Sequence, residues 1–270
     1  MAIVLDGTNG INTPNTFAFK NRVINGGFIL NQRVYVSNTG LSSGDYAHDR
    51  FKAGASGCTY TFTQGSTGVN TTITITAGSL QQVIEGANMP EGGSYTLSWT
   101  GTAQGKIAGG SFAASPIIAT GLTAGANCTI EFNTGTCTNV QVEAGSIQTS
   151  FDYRPFGTEF SLCERYFQKY SGGGNGGFVS IAIFGTTEAF TGLTFPQMRT
   201  GPSLSYSSLN DFQILSDGVS RSPLTTFQAN GSSNNRMEIQ VNWSSNLTSG
   251  FSAWLRITNP NGFYSLSAEL

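Results

Sequence analysis

The chain has 270 residues, of which 10% are charged, with a formal net charge of −2 and a single histidine. Ordinary soluble proteins carry roughly 25% charged residues, so Ser, Thr, Asn and Gly must supply the wetted surface here, and 35 glycines argue against long helices. Lys106 is the one basic side chain between residues 53 and 153, which excludes a continuous nucleic-acid groove, and no apolar window reaches the ~18 residues of a membrane-crossing helix.

Residues 1–20 are polar and turn-rich, dominated by Asp6-Gly7-Thr8-Asn9-Gly10 and Thr13-Pro14-Asn15. No apolar period is sustained there, so an extended arm without its own core is expected. The amino terminus has neither the basic start nor the apolar run of an export signal. From 21 to 156 short strand signals recur: VINGGFIL (23–30), TYTFTQ (59–64), TTITITA (71–77), LQQVIE (80–85), YTLSWTG (95–101), CTIEF (128–132) and VQVEA (140–144). Thr72 to Thr76 alternates strictly, one face apolar and the other hydroxylated. Pro90-Glu91-Gly92-Gly93 and Asn133-Thr134-Gly135-Thr136 read as turns. Antiparallel strands of this length and number predict a two-sheet sandwich.

The period then changes. Phe160, Cys163, Phe167 and Tyr170 recur at three- and four-residue steps over 157–170, as on one face of a short helix. Thr158 is placed to cap it, with Glu159 in its first turn and Lys169 in its last. Residues 171–177 read as a glycine tether. A second strand series follows over 178–270: FVSIAIF (178–184), AFTGLTF (189–195), LSYSSL (204–209), FQILS (212–216), MEIQVNW (237–243), FSAWLRI (251–257) and FYSLSAE (263–269). The expected fold is therefore all-β. It has two small antiparallel sandwich domains, 21–156 and 178–270, joined by a short helix and preceded by an extended arm.

Candidate chemistry is sparse. The cysteines at 58, 128, 137 and 163 lack metal-finger spacing, and His48 alone cannot complete a zinc site. Cys128 and Cys137 flank TIEFNTGT, which reads as a hairpin, so a cross-strand disulfide is open; buried thiols are the preferred reading for assembly in a reducing cytoplasm. Glycan hydrolysis needs two carboxylates about 5–9 Å apart. Glu85 with Glu91 and Asp45 with Asp49 flank loops, where acidic residues are ordinarily solvated. A Ser-His-acid set would have to use His48, and its neighbour Asp49 would point to the opposite face of a strand. Asp49-Arg50 reads instead as a hydrogen-bonded corner. No catalytic residue, metal or cofactor is expected. Sugar-stacking aromatics, each weighed against a core role, are Tyr35, Tyr46 and Trp99 in the first domain. In the second they are Tyr206, Trp243, Trp254, Phe263 and Tyr264, with Trp254 best placed for exposure because it alternates against Phe251, Ala253, Leu255 and Ile257.

The segment 140–170 also carries a resemblance. Val140 to Ser146, Arg154 to Glu159 and Leu162 to Phe167 are similar in order and spacing to a string found in tail-fibre and receptor-binding proteins of tailed bacteriophages. Asn21 to Arg33 and Tyr46-Ala47-His48-Asp49-Arg50-Phe51 resemble motifs of that family's first β domain, with Phe51 in place of a Trp. The resemblance implies a jelly roll like that of carbohydrate-binding modules for the first domain, and a homotrimer whose contact would use Phe160, Cys163, Phe167 and Tyr170. It implies an amino terminus docked to a tail or baseplate protein, through Asp6, Asn9 and Ile11 on this reading. The carboxyl-terminal domain would then meet a host glycan or outer-membrane protein through Trp243, Trp254, Phe263 and Tyr264. Such a protein is non-enzymatic, made in the host cytoplasm and located in the virion tail, with no nucleic acid bound and no membrane insertion. Some of these modules hold calcium through a Glu after the Asn-Gly opening; here Ile29-Leu30-Asn31 offers no carboxylate. The competing readings are a virion spacer, head fibre or decoration protein without receptor binding, and a stand-alone carbohydrate-binding module.

Overall fold

A computed structural model describes residues 4–6, 10–12, 19–172, 176–216, 218–221, 223–244 and 247–270, the side chains of 4–6, 10–12, 176–178, 219 and 221 excepted. Strands hold 47% of the chain, and all described pairings are antiparallel. The chain divides into two compact units after Cys163, with Leu270 counted in the first. At the amino terminus β1 (Val4–Asp6) pairs with β2 (Gly10–Asn12), so this segment folds back on itself and is not simply extended. Asn9 and the side chains of Asp6 and Ile11, the expected attachment residues, lie outside the described residues.

The first unit contains β3 (Lys52–Phe62), β4 (Ile73–Ile84), β5 (Gly93–Thr100), β6 (Gly105–Ile107), β7 (Ile117–Leu122), β8 (Cys128–Phe132) and β9 (Gly135–Ala144). Their order is β6-β8-β4-β9-β5-β7, with β3 also on β4. TTITITA and LQQVIE thus form one long strand, which can bend because Gly78 lies between them at φ +69, where a Cβ would strike the Gly57 carbonyl. One end of β4 pairs with β9 and the other with β8. So β8 and β9 do not form the expected hairpin, and Cys128 and Cys137 are not cross-strand partners; all four cysteines are buried free thiols. Alternation explains the core: Ile73 and Ile75, Tyr95 and Leu97, Ile130 and Phe132, Val140 and Val142 all point into one apolar cluster.

VINGGFIL is not a strand. Asn25 and Phe28 adopt φ +60 and +52, and the Asn25 side chain replaces a strand partner. Its Nδ2 donates to the carbonyls of Leu30 and Asp49 at 2.8 and 3.1 Å, and its Oδ1 accepts from the Leu30 amide at 3.0 Å.

Helix α1 (Phe156–Glu164) begins two residues before the expected Thr158 cap and stops early. Phe167 and Tyr170 therefore leave the helix. They lie on β10 (Phe167–Ser171), because the backbone from 167 to 171 finds a full register of partners at 263–267. The expected helical stripe does not exist, and the division between units precedes the 171–177 tether. Of that tether, 173–175 lie outside the described residues, while Ser171 closes β10 and Gly176 opens β11, both in the second unit.

The second unit continues with β11 (Gly176–Ile183), β12 (Glu188–Thr194), β13 (Ser203–Tyr206), β14 (Phe212–Ser216), β15 (Val219–Arg221), β16 (Leu224–Ser232), β17 (Arg236–Trp243), β18 (Ser252–Ile257) and β19 (Phe263–Ser267). Seven strands form a sheet in the order β15-β14-β18-β11-β12-β17-β16, and β10-β19-β13 form a smaller one. Both feed one apolar cluster: Ile181, Ile214, Ile239 and Leu255 from the large sheet, Tyr264 and Leu266 from the small. That cluster buries one face of the large sheet and leaves the other to solvent.

Candidate functional site

The open face of the seven-stranded sheet is set by period-two alternation. Ala253, Leu255 and Ile257 of β18 are buried while Ser252 and Trp254 are exposed. Ile181 and Ile183 of β11 point inward, Ser180 and Ala182 outward, with Phe184 exposed just beyond the strand end. In β12 Ala189 and Leu193 are inside, with Phe190 half-buried and Gly192 exposed opposite them. Met237, Ile239, Val241 and Trp243 fill the core side of β17, which leaves Arg236, Glu238, Gln240 and Asn242 on the open side.

Register turns these positions into a line across the sheet. Ser252 pairs with Ala182, Ala182 with Phe190, Phe190 with Gln240 and Gln240 with Gln228. Its β18–β12 half is small and aromatic: Phe184 meets Phe190 edge-on at 5.7 Å, and Phe251 and Trp254 are 53% and 54% exposed. The β17–β16 half is a hydrogen-bonded amide row. Gln228 Nε2 donates to Gln240 Oε1 at 3.0 Å, Gln240 Nε2 donates to Asn242 Oδ1 at 3.3 Å and to Glu188 Oε2 at 3.4 Å, and Asn230 Nδ2 donates to Glu238 Oε1 at 3.3 Å. A primary amide has two N–H donors and two acceptor lone pairs, so this row is held in place and keeps capacity for a ligand. Shallow depressions of about 460 and 500 Å³ flank Phe190, one toward Gly231 and Arg236, the other toward Gly250 and Phe251.

Of the expected contact residues, Trp254 alone is a surface platform. Trp243 is 3% and Tyr264 6% exposed, so neither can stack on a ligand; Tyr264 stacks on Tyr170 at 4.8 Å and 11°. These two are corrected to core residues, because the inward phase of β17 carries Trp243 and β19 is covered on both faces around Tyr264. Phe263 is half-buried beneath the Lys169 ammonium, 4.3 Å from its ring centre, and burial there lowers the Lys169 pKa. Tyr206 packs on Phe212 and Phe227. In the first unit Trp99 is buried against Phe132, Tyr35 packs on Tyr60, and Tyr46 lies beneath Arg33 and Lys52. The supposed trimer stripe is dispersed: Cys163 and Phe167 are buried, Tyr170 is in a sheet, and Phe160 stacks on the partly exposed Phe156. Phe184, Phe190, Gln228, Gln240, Asn242 and Glu188 were not singled out from sequence. The signal was present in the polar phase of MEIQVNW, but pairing partners are invisible in one dimension.

The motif-bearing segments of the first unit make a structural lock. Arg154 donates to Glu159 at 3.0 Å, to the Val23 carbonyl at 3.1 Å and to the Asn21 carbonyl, and Glu159 accepts the Asn25 amide. Asn21 donates to the Val140 carbonyl at 3.0 Å and accepts from the Val142 amide at 3.1 Å. Asp49 accepts from the Gln32 amide at 3.0 Å and from Arg33 at 3.2 Å, as a corner should. His48 bridges Tyr60 Oη at 2.7 Å and Gln64 Oε1 at 3.0 Å; burial pushes its pKa down to about 4 against the raising effect of the Gln64 bond. Glu91 is held below its usual range, first by the Tyr95 hydroxyl and also by Arg22. Asp45 accepts the Ser42 amide at 2.9 Å. These carboxylates are engaged in turns and ties. Among the described residues no group of three or more His, Cys, Asp or Glu could hold a metal, and no described helix is long and apolar enough to cross a membrane.

Set beside known proteins, the chain matches no family model, no curated protein and no solved structure.

Proposed function

We propose that this chain is a non-enzymatic structural protein of a bacteriophage virion, a homotrimeric tail fibre. Its amino terminus docks to a tail or baseplate protein, and its second unit contacts the host surface. The observation that carries the reading is the open face of the large sheet, where exposed aromatics share the surface with a fixed amide row. The resemblance over 21–170 supplies the virion context, and the Arg154–Glu159 lock gives its motif residues a reason that is structural rather than chemical. Single contacts on so shallow a face are weak, and three copies acting together would recover the affinity.

The test is retention of the labelled full-length protein by a panel of bacterial strains, with Trp254→Ser as the paired variant. Retention that competes with infection and falls with the variant is expected. If no strain retains the protein and gold-labelled antibody finds it on the head or neck, the spacer reading replaces this one.

A further inference from the structure

Two glycines on the open face have no packing role. A Cβ on Gly192 in β12 or Gly231 in β16 would meet nothing within 4 Å. Neither has the left-handed φ that would require glycine. Glycine inside a strand marks a bulge or a place where something approaches the backbone closely. The β16–β17 register shifts between Ala229 and Gly231, which accounts for Gly231, whereas Gly192 sits in an unbroken register with β17. Gly192 and Gly231 are both register partners of Glu238 on β17, so the sheet surface is low on either side of the Glu238 side chain, and this forms a notch. The notch is the 460 Å³ depression, lined by Phe190, Arg236 and Glu238 together with the two glycines.

We infer that this notch seats a ring of an uncharged polysaccharide, whose chain runs across the strands over Phe190 toward Phe251 and Trp254. The inference rests on the reading of this face as the host-contact surface and assigns its ligand class. A flat apolar ring face packs against exposed aromatic carbon, while ring hydroxyls, each both donor and acceptor, match groups of both kinds. The notch offers a carboxylate acceptor in Glu238 and a guanidinium donor in Arg236, and the adjoining row offers the amides of Gln228 and Gln240. Among the described residues of this face Glu188 and Glu238 are offset by Arg236 and Arg256, so no net positive charge draws a polyanion to it. The register line from Ser252 to Gln228 crosses five strands, and four spacings of roughly 4.8 Å give about 19 Å. That length fits a run of linked rings and exceeds a single one, and the second depression beyond Phe190 provides a further seat.

The experiment uses the full chain against immobilised neutral oligosaccharides (gluco-, manno- and galacto-hexaoses), with polygalacturonate and heparin as acidic arms. Trp254 reports binding by fluorescence, because Trp99 and Trp243 are only 5% and 3% exposed. Gly192→Phe fills the notch from open space and leaves the core untouched. It should weaken binding of a retained neutral hexaose by about tenfold or more, the equivalent of about 1.4 kcal/mol, with an unchanged or raised melting temperature. Gln240→Leu should weaken it as well, and a monosaccharide should compete poorly. Wild-type affinity in Gly192→Phe, or preference for the acidic polymers, overturns the inference. Retention by cells without binding to any neutral probe overturns the glycan assignment and leaves the host-contact reading standing; loss of both overturns both. A change in oligomeric mass on Gly192→Phe would instead make this face a subunit contact and also overturn it.

Discussion

Acidification from pH 6.5 to 5 should destabilise the first unit by about 2 kcal/mol through His48 alone. The imidazole is fully buried, and its pKa falls from 6.5 to about 4, chiefly by desolvation. Its neutral form fits the site: Nε2–H donates to Gln64 Oε1 and Nδ1 accepts the Tyr60 hydroxyl. Because the folded pKa is depressed, the unfolded chain binds more protons between the two values. The stabilisation is therefore complete above pH 6.5 and is lost as pH falls toward 4. The whole interval between 6.5 and about 4 corresponds to about 3.4 kcal/mol, at about 1.36 kcal/mol for each tenfold change in proton affinity. By pH 5 about 2 kcal/mol of this is gone, before most carboxylates titrate. Hydrogen exchange of the β3 and β4 amides, corrected for intrinsic rates, reads this locally. A His48→Gln variant, though less stable at pH 7, should lose the pH dependence over this window. Equal protection at pH 6.5 and 5 in the native chain, or the same slope in His48→Gln, would refute the reasoning.

Three further outcomes follow from packing. Arg154→Met strands the buried Glu159 carboxylate and should cost about 3–5 kcal/mol in urea denaturation, while the double variant Arg154→Met/Glu159→Leu should recover part of that loss; equal costs would mean the ion pair is not the lock. Trp243→Ala should lower stability by about 3–5 kcal/mol, and Trp254→Ala by no more than about 0.5 kcal/mol, measured by thermal unfolding. Light scattering of the purified protein should give the mass of three chains; one chain's mass would end the homotrimer proposal, whose contact cannot be the 160–170 stripe.

Strand identity was legible wherever one face is buried, because alternation writes burial into sequence: MEIQVNW and FSAWLRI show their inward set directly, whereas in YTLSWTG Thr96 and Ser98 are buried along with Tyr95, Leu97 and Trp99. The all-β character followed from composition in the same way. Alternation set Trp254 apart from Ala253, Leu255 and Ile257 and placed Trp243 in phase with Met237, Ile239 and Val241, so the expectation of Trp243 as a platform went against its own phase, and at 3% exposure it is core. Spacing also misled at Phe167 and Tyr170. Three- and four-residue steps mimic a helix, but the backbone there gains a complete antiparallel partner in β19, a contact across about a hundred residues that no local pattern contains. The same limit hid the site. The line from Ser252 through Ala182, Phe190 and Gln240 to Gln228 draws on five strands that are scattered in sequence. Local chemistry sets which side chains face out, and only strand order and register decide which of them meet.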